Sequence, residues 1–349
     1  MTPPASSPPI PPLPVLTAGW PDYALLDTGR RRKLERFGSQ IIIRGEPKAW
    51  WEPSLPDFAW ARAHAVHDED RPWRITSGAP REWTMQWRTL TLQARLADTS
   101  KHLGIFPEQA PHWEFIQMHG RASAPSLSRG TAHPLNPSKS QTPLPRPLLS
   151  SNSKLETRNS ELSPLRLLNL FGYTGVASLA AAAAGFAVTH VDASKPAIAW
   201  GRHNQSLSQL DDAPIRWILD DALKFLRREI RRGIRYDAIV LDPPSYGRGP
   251  NGELWKVETR LPELLALCRQ ALAENPRFIL LTMYNLEASP LMLANLLDQT
   301  TRGLPGDITR GELALMPNPE PGSLHPAESL HPLPLSLWAR WQSPGLQPA

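Results

Sequence analysis

From residue 164 onward, short apolar runs alternate with longer stretches whose apolar positions recur at helical spacing. The runs 165–170, 186–191, 215–219, 236–241 and 277–283 predict strands. A parallel strand covered on both faces is mostly apolar rather than alternating, and these runs fit that pattern. The stretches 176–184, 195–207, 222–232, 257–273 and 288–299 predict helices. Ser194 is placed to cap the second of them, with Pro196 in its first turn, and Gly185 and Gly233 stand where helices stop. The last two runs, 307–316 and 333–341, have no helix between them, which predicts an antiparallel hairpin at the sheet edge. The class is α/β: a doubly wound sheet of seven strands, parallel except at that hairpin.

The pattern is different upstream. Residues 1–18 are mostly Pro, Ser and Ala without periodicity and predict a disordered Pro-rich tail. Residues 19–117 carry short β-like runs, at 33–37, 40–44 and 83–96, and predict a smaller β-rich N-terminal domain. Eight of the thirteen tryptophans fall there (20, 50, 51, 60, 73, 83, 87, 113). Tryptophans can stack bases, but in a small domain they more often supply core area, which is the reading favoured here. Residues 118–162, rich in Ser, Pro and Thr, predict a disordered insertion or linker. The regular domain then runs 163–342, with a tail at 343–349.

Composition bounds the chemistry. With 349 residues and 41% hydrophobic content, the chain suits a globular protein with a substantial core. No apolar run is long enough to span a bilayer, and the first residues lack a secretory signal's basic start and apolar core. The single cysteine, Cys268, excludes an internal disulfide and a cysteine metal cluster. A cytoplasmic setting is expected. The histidines show no metal-ligand spacing. The formal net charge of +5 is concentrated at Arg30–Lys33 with Arg36 and at Arg227–Arg235. Such clusters either track phosphates or form a solvated helix face.

Ligands in a doubly wound sheet sit outside the carboxyl ends of the strands, and four successive strand ends here are polar. The first carries Phe171, Gly172, Tyr173, Thr174 and Gly175 at a helix N-terminus, where backbone amides suit a carboxylate or phosphate. Asp192 ends the second, about twenty residues on, where a carboxylate takes a ribose hydroxyl pair. The third ends in Asp220-Asp221-Ala222, suited to an adenine amine, and the fourth in Asp242-Pro243-Pro244-Ser245-Tyr246. Gly-x-Gly-x-x-Gly is absent, which disfavours a pyrophosphate cofactor, and no P-loop sequence exists.

In this combination the chain resembles the class I S-adenosylmethionine-dependent methyltransferases, and within them the bacterial large-subunit ribosomal RNA methyltransferases of cytosine-C5 and guanine-N7 type. The resemblance rests on Asn169-Leu-Phe-Gly-Tyr-Thr-Gly175, Asp192-Ala193-Ser194, Asp220-Asp221-Ala222 and Asp242-Pro-Pro-Ser-Tyr246. Upstream, Lys101-His-Leu-Gly-Ile-Phe-Pro-Glu-Gln109 is similar to the family's Lys-Thr-Gly-x-x-x-Asp-Gln element. It implies a Rossmann-like fold and S-adenosyl-L-methionine as cofactor. Phe171 to Gly175 would hold its methionine end, Asp192 its ribose, and Asp221, or else Asp220, its adenine amine. Phe106 and Gln109 would wall the site. Asp242 to Tyr246 would face the methyl group and the acceptor base, with Tyr246 placed to stack a flipped base.

The family's cytosine-C5 members use a cysteine after the next strand, but here that strand ends Leu281-Thr-Met-Tyr-Asn285 and Cys268 lies in a helix among leucines. A buried structural thiol is expected, and direct transfer to a base nitrogen of ribosomal RNA rather than covalent C5 chemistry. Two readings stay open beside it: the same cofactor with a small-molecule or protein acceptor, and a non-catalytic RNA-binding protein.

Overall fold

A computed structural model of the chain describes residues 15–17, 19–68, 71–98, 100–120, 164–284, 286–318 and 331–345. The expected insertion at 118–162 and the first fourteen residues fall almost wholly outside these. A short strand, β1 (Val15–Thr17), opens the described chain. Strands β2 (Tyr23–Gly29), β3 (Arg32–Phe37) and β4 (Gln40–Gly45) form an antiparallel meander. Its first turn holds Arg30 and Arg31 at φ 48° and 59°, the double positive φ of a two-residue primed hairpin turn. A one-turn helix α1 (Asp57–Trp60) leads to β5 (Ala65–His67) and β6 (Arg74–Ile75), which complete a five-stranded sheet.

The apolar stretch 83–96 divides into a hairpin, β7 (Glu82–Trp87) and β8 (Leu90–Arg95), because Arg88 turns at φ 51°. A 3₁₀ turn at Pro107–Gln109 then opens helix α2 (Ala110–Met118), an element the β-type reading of 19–117 did not contain. Of the eight tryptophans in this part, Trp20, Trp60, Trp73, Trp87 and Trp113 are buried. Packing, rather than base stacking, explains those five.

The second half follows the sequence pattern closely. In order it comprises β9 (Arg166–Leu170), α3 (Val176–Ala183), β10 (Ala187–Asp192), α4 (Lys195–Leu207), β11 (Ile215–Leu219) and α5 (Ala222–Arg231). Then come β12 (Ala238–Leu241), a hairpin of β13 (Tyr246–Arg248) and β14 (Leu254–Lys256), α6 (Val257–Ala271), β15 (Phe278–Tyr284), α7 (Pro290–Thr301), β16 (Asp307–Leu315) and β17 (Leu333–Gln342).

The central sheet runs β11-β10-β9-β12-β15-β17-β16, and β17 is antiparallel to both neighbours. An eighth strand differs from expectation: β1, inside the segment read as a tail, pairs in parallel with β16. Its partner is distant in sequence, so no local pattern announces it. Leu168 and Leu170 face a core with α5, α6 and α7, while Leu167, on the opposite face, packs with Ile116 of α2 and Ala181 of α3. The period-2 alternation of a strand thus feeds two cores. The N-terminal part therefore supplies one covering layer of the sheet, and Trp87 and Trp113 share a cluster with Leu179 and Leu335. No helix among the described residues is long and apolar enough to cross a membrane.

Candidate active site

The chain turns from β9 to β10 on one side and later to β12 on the other, which makes the carboxyl ends of β9 and β12 the switch point of the sheet. A cleft of about 480 Å³ opens there. Its walls include Phe106, Gln109, Phe171, Tyr173, Asp192, Ala193, Ser194, Asp220, Asp221, Ala222, Asp242, Pro243, Pro244 and Ser245. All of them were anticipated from the sequence.

The first loop is backbone-strained. Phe171, Tyr173 and Gly175 sit at φ 57°, 50° and 83°, and for the two non-glycine residues this left-handed conformation is unfavourable. Surrounding contacts hold it. Tyr173 N–H donates to Asp192 Oδ2 at 2.8 Å, Thr174 Oγ1 donates to Gly104 O at 2.5 Å, and Asn204 Nδ2 donates to Thr174 O at 3.1 Å. Beneath the loop, Asn169 Nδ2 donates to Ser178 Oγ, which lies 2.9 Å from His190 Nδ1. A Cβ on Gly172 would fall 2.4 Å from His190 Cε1, so that position admits only glycine without movement. Asn169, Gly172, Thr174 and Gly175 shape the loop from behind and do not line the cleft.

Asp192 Oδ1 accepts from Ser194 N–H at 2.8 Å, so each of its oxygens already holds one amide. A carboxylate has about four acceptor positions, so these amides do not fill it. Burial raises its pKa. Burial, and then the same carboxylate, push the Tyr173 phenol up to about 12. Asp221 caps α5, its Oδ1 accepting from Lys224 N–H at 2.9 Å. Asp220 is committed elsewhere, with Oδ2 2.5 Å from Arg228 Nη1. Of the two, Asp221 keeps the freer oxygen.

On the opposite wall, Gln109 Nε2 donates to Asp242 Oδ2 at 3.1 Å. Burial, and then the negative charge of Glu108, push the Asp242 pKa up to about 7. Burial likewise raises Glu108. Partial burial, and then the charges of Arg44 and Lys101, lower the His102 pKa to about 3, so its ring is neutral. Behind the two prolines, Trp255 Nε1 donates to Pro244 O at 2.6 Å and its ring meets Phe171 at 4.9 Å between centroids. The phenyl of Phe106 lies 5.6 Å from the Tyr173 ring, closing the N-terminal segment onto the first loop.

Tyr246 stands outside the cleft, 54% exposed on the β13–β14 hairpin. Sequence reasoning missed His102, Glu108, Trp255, Tyr284 and Ser336, all of which line the wall. Glu108 lies inside the Lys101–Gln109 segment and Tyr284 ends a strand, so both carried a signal. Cys268 is fully buried on α6 in the core, and burial raises its thiol pKa far above the ordinary range. In α5, Arg227 pairs with Glu263 and Arg228 with Asp220, and Arg232 at its C-cap pairs with Glu229.

A sheet of this order with a polar switch-point cleft defines a methyltransferase-type α/β fold, and comparison with known proteins agrees. The family model for S-adenosylmethionine-dependent methyltransferases matches residues 156–299. The crystal structure of the SAM-dependent methyltransferase from Agrobacterium tumefaciens is 36% identical, covers 95% of this chain and 94% of its own, and superposes with a TM-score of 0.79. The chain belongs to the S-adenosylmethionine-dependent methyltransferases, and S-adenosylmethionine is its cofactor. A second structure, SMU.776 complexed with SAH, shares the fold at 16% identity and a TM-score of 0.61, covering 92% of this chain and 75% of its own. Among curated relatives, the ribosomal RNA large subunit methyltransferase I of Salmonella arizonae is 38% identical over 96 residues, 27% of this chain and 24% of that protein. The methyltransferase K/L of Pseudoalteromonas translucida is 43% identical over 82 residues, 23% of this chain and 11% of that protein. The match thus spans a quarter or less of those relatives' length.

Proposed function

We propose that the cleft seats S-adenosylmethionine against Phe171 and Tyr173 of the first loop, Asp192 and Asp221, and that the chain methylates a base nitrogen of ribosomal RNA. Several features support the fit to the cofactor. The strained first loop leads into the N-terminus of α3, the end of a helix that suits a carboxylate. Asp192 retains acceptor positions for a hydroxyl pair. Bound there, the cofactor supplies an electrophilic methyl group.

The protein's own work is proximity, orientation and proton handling. Asp242, with a pKa near 7, accepts the acceptor's N–H and can take its proton at neutral pH. Gln109 fixes the carboxylate's direction, and the rings of Phe106, Phe171 and Trp255 exclude water. The buried thiol of Cys268 has no part in the chemistry.

The observation that carries the RNA acceptor is the hairpin at the cleft mouth. Tyr246, Arg248, Leu254 and Lys256 all lie exposed, and cross-strand register pairs Tyr246 with Lys256 and Arg248 with Leu254. An aromatic ring and two cations on one face offer a flipped base a stacking partner and its phosphates a charge partner. The 38% and 43% identities to proteins named for ribosomal RNA methylation support the same substrate class. The test is methyl transfer to ribosomal RNA by the wild type and by Arg248→Glu/Lys256→Glu. A raised KM for RNA with unchanged cofactor affinity is expected; an unchanged KM for RNA would remove the hairpin from the account.

A further inference from the structure

The turn between β2 and β3 carries arginines at both central positions, Arg30 and Arg31, where a left-handed backbone favours glycine or asparagine. Three hydrogen bonds clamp this strained turn to the 46–51 loop. Arg30 N–H donates to Trp51 O at 2.8 Å, Arg31 N–H to Ala49 O at 2.7 Å, and Glu46 N–H to Arg31 O at 2.8 Å. On that loop stands Trp50, 77% exposed where the other tryptophans of the N-terminal part are buried or half-buried. Its indole N–H donates to Pro47 O at 2.6 Å, which fixes the ring, and the Arg31 guanidinium lies 5.8 Å from the ring centroid. The rest of the basic run is sorted differently. Lys33 is buried against Glu35 and Glu46, and Arg30 pairs with Glu52 and Asp57. Arg31 is exposed and has no ion pair among the described residues. The same loop reaches the cleft: Lys48 Nζ donates to Leu335 O at 2.5 Å and lies 5.9 Å from the centroid of the Tyr284 ring, and Tyr284 lines the cleft wall. Arg248, from the β13–β14 hairpin, lines that cleft too. Two aromatic–cation pairs, Trp50 with Arg31 and Tyr246 with Lys256, thus stand exposed on two segments that both border the site.

We infer that Trp50 and Arg31 form a second contact for the acceptor, a shelf on which a nucleotide flanking the target base stacks while Arg31 meets its phosphate. The substrate is then an unpaired stretch of RNA rather than a duplex or a free nucleoside. The inference rests on the RNA reading of the acceptor. An indole left in water adds nothing to the core, and strain held in a turn marks a place where the backbone serves something other than stability. The occupant follows from the chemistry of the pair. An uncompensated guanidinium beside an aromatic face attracts a phosphodiester and repels a cationic partner. The ring accepts the face of any unstacked base, whatever its sequence. A duplex keeps those faces inside its own stack and offers the indole nothing. Because the shelf and the hairpin both border the cleft, a single strand held by the two presents the base between them to the methyl group.

The test is fluorescence anisotropy with the full-length protein and a labelled RNA of about twelve nucleotides, alternating A and C so that it cannot pair with itself. The same strand annealed to its complement is the second probe. Trp50→Ala should weaken single-strand binding about tenfold, the loss of one stacked base, and leave duplex binding unchanged. Trp50→Phe should restore most of that affinity. Arg31→Ala should lower the slope of log affinity against log salt by about 0.7 on the single strand. Affinity for S-adenosylmethionine stays unchanged in all three, since neither residue lines the cleft. Equal losses on both probes reduce the patch to a general charge and overturn the stacking. Single-strand affinity unchanged in Trp50→Ala and Arg31→Ala, but weakened in Arg248→Glu/Lys256→Glu, overturns the shelf and leaves the RNA reading standing. A dimer that dissociates in Trp50→Ala, with RNA affinity unchanged, gives the patch to a second copy of the chain and also overturns the shelf. A wild-type protein that binds neither probe overturns the RNA reading itself.

Discussion

Gln109 Nε2 reaches Asp242 Oδ2 at 3.1 Å across 133 residues of sequence, tying the 3₁₀ turn before α2 to the loop after β12. A hydrogen bond to a charged group contributes about 1.5–3 kcal/mol. Gln109→Ala should therefore slow methyl transfer by roughly ten- to a hundredfold at saturating cofactor. Losing a donor to the carboxylate also raises its pKa, so the ascending limb of the pH–rate profile should move to higher pH. Single-turnover rates across pH check both; an unshifted profile would show that Gln109 does not act through Asp242.

The first loop makes a stability prediction. Gly172→Ala forces a Cβ to within 2.4 Å of the buried His190 ring and should lower stability by about 1–3 kcal/mol. Adding His190→Ala relieves the clash, so the double variant should lose less than the two single losses summed. Chemical denaturation of the four proteins measures the coupling.

Asp242 also sets a pH dependence of folding. Its folded pKa is raised to about 7, so the folded protein binds this proton more tightly than the unfolded chain. The associated stability is fully present below the unfolded value of about 3.9 and declines as pH rises through 7. Asp242→Asn removes that decline. Relative to wild type, the variant should gain stability between pH 5 and pH 8 while losing activity; a constant stability difference across that range would contradict the assignment.

Most of the second half was legible in the sequence because its strands and helices announce themselves locally. Helix α4 begins at Lys195 and ends at Leu207, as the Ser194 cap and its apolar spacing predict, and Ser194 Oγ does accept from Ala197 N–H. The acids at the strand ends converge for the same reason, since topology alone brings them to one edge. What the sequence hid is non-local. Strand β1 exists through its pairing with β16, Glu108 joins the cleft only when the N-terminal part packs over the sheet, and Ser336 only when β17 pairs with β15. The fold also sorted residues the motif grouped together. Phe171 and Tyr173 face the ligand space, whereas Asn169 and Thr174 are buried behind it.

Cys268 separates two chemistries. Its thiol is buried among Leu264, Leu265 and Leu261, with its pKa raised by burial alone. Cys268→Ala should retain full methyl-transfer activity and lose about 1–2 kcal/mol of stability from the small cavity left behind. Abolished activity in a folded Cys268→Ala protein would restore a covalent mechanism.

The most direct test of the account is transfer of tritium from labelled S-adenosylmethionine to ribosomal RNA purified from a strain lacking the gene, followed by digestion to nucleosides. Label in a nitrogen-methylated base, absent with Asp242→Asn, is the predicted result. Label found only in protein or small molecules, or on a carbon of the base, would contradict it.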